Sequence, residues 1–242
     1  MKEPPWRPGT LRRPKPERPA KTPLSQAQIV QAALRIVKIE GVDGVSMRRL
    51  AAEFGTGPSS LYAHVASKDE LLQLMFDEVC GLVPVPELDP PRWREQVFEL
   101  ARSGHRALAD HYDLARAALA TIPTGPNALR ISEAMLAMML AGGVPARIAS
   151  WAMDRIFLYI TADAYEMSIW RGSEASAGPE LDDVLGDLRE DLVAYFEQLP
   201  EDRYPNLRRH ALDMVGGVSE ERFELGLELL VNGLDKYVTH AS

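Results

Sequence analysis

Apolar residues recur at helical spacing along this chain from residue 24 almost to its end. Ile29, Ala32, Ala33, Ile36 and Val37 form a first stripe, with Ser25 placed to cap its start and Gly41 to stop it. Ser46 caps a second, short helix that turns Leu50, Ala51 and Phe54 inward and ends at Gly55, and Pro58 stands where a third would begin. Ser67 caps a fourth, from Lys68 to about Val83, and Pro84, Pro86, Pro90 and Pro91 then mark a boundary. Beyond it, helical patterns cover 91–109, 112–121, 127–141, 146–171, 180–198 and 219–238, separated by breaks at 122–126, 142–145, 172–179 and 199–205. No alternating strand pattern competes with them. The expectation is an all-α protein: an N-terminal three-helix module over 24–83 and a larger helical domain over 84–242, preceded by an arm at 1–23.

The run 46–65 has the internal logic of a helix-turn-helix. Two helices that cross closely need a small residue at the crossing, which Ala51 supplies, and a turn residue tolerant of positive φ, which Gly55 supplies. Leu50 and Leu61 then bury one face, while Gly57, Ser59, Ser60, Tyr62 and His64 fall on or near the other. A short polar face of hydroxyls and a phenol suits a helix pressed into the major groove, where it meets phosphates and base edges. Of Arg48 and Arg49, a short helix can turn one toward DNA, and Arg48 is the candidate.

Residues 25–76, and above all Leu61-Tyr-Ala-His-Val-Ala-Ser-Lys-Asp-Glu-Leu-Leu72, resemble the DNA-binding domain of the TetR family of bacterial regulators. The leucine–tyrosine pair, the histidine two positions on and the lysine four further are matched by Leu61, Tyr62, His64 and Lys68. The resemblance implies that Tyr62 contacts a backbone phosphate, that Lys68 caps the operator contact from the start of helix four, and that Ser46, Arg48, Pro58, Ser59, Ser60 and His64 lie at the DNA surface. Gly57 belongs to the same stretch but offers no side chain for a base contact, Thr56 replaces a small apolar turn residue, and Val65 stands where phenylalanine is commoner. More weakly, Tyr204-Pro-Asn-Leu207 and 223–234 resemble the C-terminal region of the tetracycline-repressor branch, where the last helix and the one corresponding to 146–171 build a four-helix dimer interface.

Charge sharpens this picture. The chain carries a net −8, yet its first 68 residues carry +7 and the rest −15, which suggests a basic end that approaches phosphates and an acidic body held away from them. Seven of the eighteen prolines and seven basic residues fall in the first 23 positions, so the segment reads as a disordered basic arm that either reaches DNA or serves only as a solubilising tail. The single cysteine, Cys80, and five scattered histidines exclude an intramolecular disulfide and show no metal-ligand spacing, so no metal or cofactor is expected. The richest apolar runs, 134–144 and 156–162, are too short for a membrane span, and no apolar stretch follows the basic N-terminus as a signal peptide requires. A cytoplasmic location follows.

For the larger domain the expectation is a sensor of an unknown small-molecule effector. On the helix from 146, Trp151, Arg155, Leu158, Tyr159 and Ala162 share one face, and with Met135 and Met139 of the preceding helix they are the candidate ligand wall; Arg155 would meet a carboxylate or phenolate. The opposite face, near Met153, Ile156, Ile160 and Met167, is then assigned to a homodimer, together with Leu225, Leu229, Leu230, Leu234, Gly226 and Gly233 of the last helix. Arg155 and Asp163, eight residues apart among apolar neighbours, are candidates for a structural ion pair, for an exposed helix edge or for functional charges.

The reading is thus a homodimeric, ligand-responsive repressor of a palindromic DNA operator, and not an enzyme. An all-α enzyme or carrier with a vestigial helix-turn-helix finds no paired carboxylates, serine–histidine arrangement or metal spacing in its support. A constitutive DNA binder without ligand differs from it only in the larger domain.

Overall fold

The computed structural model of the chain describes residues 24–111, 114–119, 122–177, 181–216 and 219–238, without the side chains of 170–187 and 219. The arm at 1–23 lies outside the described residues. Among the described residues the regular structure is helical, with no strand.

Local chemistry starts and stops the first four helices where the pattern predicts. Helix α1 (Gln26–Glu40) opens with a capping box: Ser25 Oγ accepts from the Gln28 N–H while the Gln28 side chain accepts from the Ser25 N–H. It closes at Gly41, whose φ of 70° suits glycine, and a 3₁₀ turn at Val42–Gly44 follows. Helix α2 (Met47–Glu53) is capped by Ser46, and Gly55 makes the turn with φ 59°. Helix α3 (Pro58–Tyr62) begins with proline at its first position, where the missing N–H costs nothing. Helix α4 (Lys68–Gly81) is capped by Ser67.

Ile29, Leu50, Leu61 and Leu71 are fully buried together in the head, and Met75 and Phe76 continue this core along α4 to Ala115 and Ala118 of α6 (Leu114–Leu119). Arg116 of α6 bonds Asp43 at 2.8 Å, and its guanidinium holds that carboxyl below the usual range. A second core joins α5 (Trp93–Ala109), α7 (Pro126–Ala141), α8 (Ala146–Ala177) and α12 (Ser219–Asn232) around Leu100, Met138, Met139, Ile156 and Leu227. The proline-rich link into α5 is held by Gln96, almost fully buried, which donates to the Glu87 carbonyl and accepts from the Asp89 N–H.

The remaining elements correct the sequence reading at three places. Helix α8 runs to Ala177, 32 residues, past the expected end near 171. After α9 (Leu181–Glu197), two short helices, α10 (Pro205–Arg209) and α11 (Ala211–Val215), occupy a stretch read only as a break and its sequel; five-residue helices are too short to show a period. The last helix ends at Asn232 and tightens into a 3₁₀ turn through Tyr237.

Candidate nucleic-acid interface and ligand cavity

Helix α3 buries Leu61 completely and leaves Pro58, Ser59, Ser60 and Tyr62 exposed, Tyr62 to 52%. Gly57, at its N-cap, is open as well, and a Cβ there would meet nothing within 4 Å. One hydroxyl is engaged: Thr56 Oγ1 donates to Ser60 Oγ at 2.8 Å, which ties the turn to the helix. Ser46 is exposed but spends its oxygen as the α2 cap, accepting from the Arg49 N–H at 3.1 Å. Lys68 is exposed at the first position of α4, and His64 is half-buried with its carbonyl accepting from Gln26 of α1.

The two arginines of α2 differ in their partners. Arg49 is bonded to Glu53 and, at 3.2 Å, to Glu40, which together hold its charge more firmly than usual. Arg48 is exposed and has no ion-pair partner among the described residues. An unpaired guanidinium beside an open, hydroxyl-rich helix is chemistry suited to phosphate.

A cavity of about 310 Å³ lies in the body. Phe76, Val79 and Cys80 of α4, Leu108 of α5, Leu119 of α6, Ile131, Ser132 and Met135 of α7, and Met153, Phe157 and Leu158 of α8 line it, with Ile122 and Pro123 at the segment between α6 and α7. Its walls are mostly apolar. Ser132 donates to the Ala128 carbonyl within its own helix, and burial, with the Asp77 charge adding to it, pushes the Cys80 thiol up to about 12. No buried side-chain polar atom lacks a partner among the described residues, so the walls hold no orphaned hydrogen-bonding group waiting for a ligand.

This cavity borders the two helices the sequence suggested, α7 and α8, but most of its lining differs from the expected wall. Of the seven residues of the expected wall, Met135 and Leu158 line it. Met139 is fully buried in the second core, Trp151 is 60% exposed, and Arg155 is exposed beside Asp154. Tyr159 donates to the Arg222 and Phe223 carbonyls of α12, and burial raises its hydroxyl to about 12, so it stays a donor. The two faces of α8 do not divide as assigned: Leu158 of the expected ligand face lines the cavity together with residues of the expected dimer face. Met153 and Ile160 look into the cavity and Ile156 into the core, while Trp151, Arg155 and Ala162 are open. Both faces are rich in apolar residues, so periodicity finds the helix without saying which face turns inward. Charge at the cavity is corrected too: its one ionisable carboxylate is Asp154, and no cationic side chain lines it to meet an anion. Asp163 pairs not with Arg155 but with His105 of α5, at 2.7 Å, and that imidazole stacks on Phe223.

On the last helix, Leu225 and Leu229 are exposed, whereas Leu230 is half-buried against the body core and Leu234 is buried. Gly226 does permit close approach, but to this chain's own α8: a Cβ there would lie 2.2 Å from the Tyr159 hydroxyl. Gly233 approaches nothing within 4 Å.

A capped helix-turn-helix with an open polar helix, joined through α4 to a hollow helical body, defines a DNA-binding regulator with a small-molecule chamber. Residues 29–75 match the family of bacterial regulatory proteins called tetR, and residues 85–238 match the tetracyclin repressor-like C-terminal domain. The chain belongs to the TetR family of transcriptional regulators. It is 31% identical over 223 residues to an HTH-type transcriptional regulator of Saccharopolyspora erythraea, covering 91% of this chain and 89% of that one. It is 30% identical over 228 residues to the HTH-type transcriptional repressor DrrR1 of Streptomyces coeruleorubidus, covering 93% and 82%. Among solved structures, the Streptomyces coelicolor TetR family protein ActR in complex with actinorhodin superposes with a TM-score of 0.80 at 41% identity, covering 91% of this chain and all of that one.

Proposed function

We propose that this chain is a homodimeric repressor whose α3 helices read a palindromic operator and whose body cavity binds an inducer. The observation that carries the reading is the double role of α4. Its first turns pack in the head against α1, in the core that also holds Leu61 of α3, and its last turns form a wall of the cavity, through Phe76, Val79 and Cys80. Occupancy of the body is thereby placed one helix from the DNA surface.

Tyr62, Ser59, Ser60, Pro58 and Gly57 form the groove-facing edge, with Arg48, Ser46, Lys68 and the half-buried His64 beside it; the exposure of the others supports this role. Two heads set about 34 to 36 Å apart would meet successive major grooves on one side of the duplex. The exposed apolar side chains of α8 and α12, Trp151, Leu225 and Leu229, support a dimer built from the outward faces of these two helices. The effector is a largely apolar molecule, because the lining offers area and few polar groups. DrrR1 is named a repressor, and ActR is seen with actinorhodin; both favour repression relieved by a small molecule here. Such a regulator works in the cytoplasm, and among the described residues no helix is long and apolar enough to cross a membrane.

The test is a duplex selected in vitro from random sequence with the full-length protein. Binding should be sequence-specific, weaken with salt, and be reversed by an apolar compound found in a thermal-shift screen, which shifts the population by its differential affinity for the two states. Specific binding that no cavity ligand alters would leave a constitutive DNA binder instead.

A further inference from the structure

Helix α7 begins without a cap of its own. Its N-cap residue is Gly125, which has no side chain to accept from the first free N–H groups. The acceptor comes from another helix. Asp77 of α4 takes the Asn127 and Ala128 N–H groups on one carboxylate oxygen, both at 3.0 Å, and the Asn127 side-chain amide on the other at 3.1 Å. The fit is tight: a Cβ on Gly125 would sit 2.2 Å from an Asp77 oxygen. The favour is returned at the other end, where Arg130 of α7 donates to the Cys80 and Val83 carbonyls at the end of α4, at 3.2 and 3.0 Å. An anion thus sits at one helix's N-terminus and a cation at the other's C-terminus, each the sign its helix end favours.

This reciprocal cap lies at the edge of the cavity. Phe76 lines the cavity immediately before Asp77, and Ile122 and Pro123 line it three and two residues before Gly125. A molecule pressing on Ile122 and Pro123 therefore acts on the short segment that delivers the α7 N-terminus to Asp77. Asp77 itself does not line the cavity, and it sits nine residues along α4 from Lys68, the DNA-facing candidate on the same helix.

We infer that Asp77 is the positioning residue through which cavity occupancy reaches the DNA-binding head. With the cap closed, α4 is held to α7 at both ends of the shared wall and the head is set in one arrangement. A ligand that shifts 122–126 loosens the fit at Asp77 and frees α4 to carry the head to another. The inference rests on the reading of the cavity as the effector site.

The experiment measures coupling in the full-length protein with N-phenyl-1-naphthylamine, a neutral apolar fluorophore, as cavity probe and an in vitro-selected operator duplex. Probe affinity is taken with and without saturating operator; the ratio is the coupling factor and must be the same read from either ligand. The wild type should show a ratio of about 5- to 100-fold. Asp77→Asn removes the negative charge at the α7 N-terminus and one of the two acceptor oxygens, and should bring the ratio below about twofold while probe affinity and operator affinity measured separately change by less than about threefold. Adding Asn127→Asp restores a donor–acceptor pair and should restore coupling, an outcome that general destabilisation would not produce. If Asp77→Asn folds poorly, Asn127→Ala removes one of the three bonds and should lower the ratio part of the way. A ratio unchanged in Asp77→Asn overturns the role of Asp77 alone. A wild type that binds both partners with a ratio of one overturns the sensor reading, and the latch with it.

Discussion

The head and the body handle their interiors in opposite ways. In the head, short helices of seven and five residues close fully around Leu50 and Leu61, and the polar residues assigned to DNA lie outside. In the body, long helices leave a cavity of about 310 Å³ between them, and the residues assigned to the effector lie inside. A surface that must match a rigid duplex gains from a packed support, because its hydroxyls and phenol have to be held in register. A chamber that must admit a molecule gains from walls that do not quite meet, at some cost in dispersion energy. The contrast teaches where to expect tolerance: substitutions that add volume should harm the head and spare the body.

The largest effect is expected at the seam between two bodies. Leu229 is 70% exposed on α12, so Leu229→Asp removes no core packing within the protomer but puts a charge on the face proposed for the dimer. Loss of the dimer turns bivalent operator binding into two separate events, a weakening of about 10²- to 10⁴-fold, with monomers seen by sedimentation. Leu230, half-buried against the core, would confuse assembly with folding. A variant that stays dimeric would move the interface off this face.

Next comes the outer surface of the head. Tyr62→Ala deletes an exposed phenol and leaves Leu61 and the core beneath untouched. A hydrogen bond to a charged phosphate contributes about 1.5 to 3 kcal/mol, so operator affinity should fall about 10- to 150-fold per subunit across all sequences, while thermal stability holds. Unchanged affinity and salt dependence in a binding titration would remove Tyr62 from the interface.

How much of this was legible in the sequence follows from the same contrast. Ser25, Ser46 and Ser67 cap their helices, Gly41 and Gly55 take positive φ, and Pro58 opens α3, all as read from residues a few positions apart. Caps and turns are local, so one sequence window holds both partners. The cavity draws Phe76, Ile131 and Phe157 from helices scores of residues apart, and no spacing rule connects them. On α8 the period identifies a helix, but Trp151 and Ile156 are equally apolar, and only the packing of α5, α7 and α12 decides that Ile156 goes in. The Asp77 cap was hidden for a related reason: Gly125-Pro126-Asn127 announces a helix start, yet its missing acceptor sits 50 positions away.

A buried alanine in the head gives the third test. Ala51 is 2% exposed at the crossing of α2 with its neighbours, and Ala51→Leu adds three carbons to a site without space for them. Overpacking of this kind costs about 1 to 3 kcal/mol. For a chain of this length that is about 2 to 12 °C in Tm, readable by thermal unfolding at fixed protein concentration. Stability equal to wild type would mean the head is less filled than its burial indicates.

The smallest effect is the matching change at the cavity wall. Val79 is 1% exposed to solvent yet borders the cavity, so the extra methylene of Val79→Leu has empty volume to enter. A buried methylene contributes about 0.8 kcal/mol, and leucine is a slightly better helix former than valine. Against this stands the ordering of one more rotor, about 0.5 kcal/mol. The balance favours the variant by up to about 1 kcal/mol, a rise in Tm of about 2 to 4 °C, opposite in sign to the effect at Ala51. The same methylene occupies space that a ligand would use, so an apolar probe should bind more weakly to the more stable protein. A loss of stability in Val79→Leu as large as that in Ala51→Leu would mean that the walls of the body close in solution, and that the two regions do not differ in packing after all.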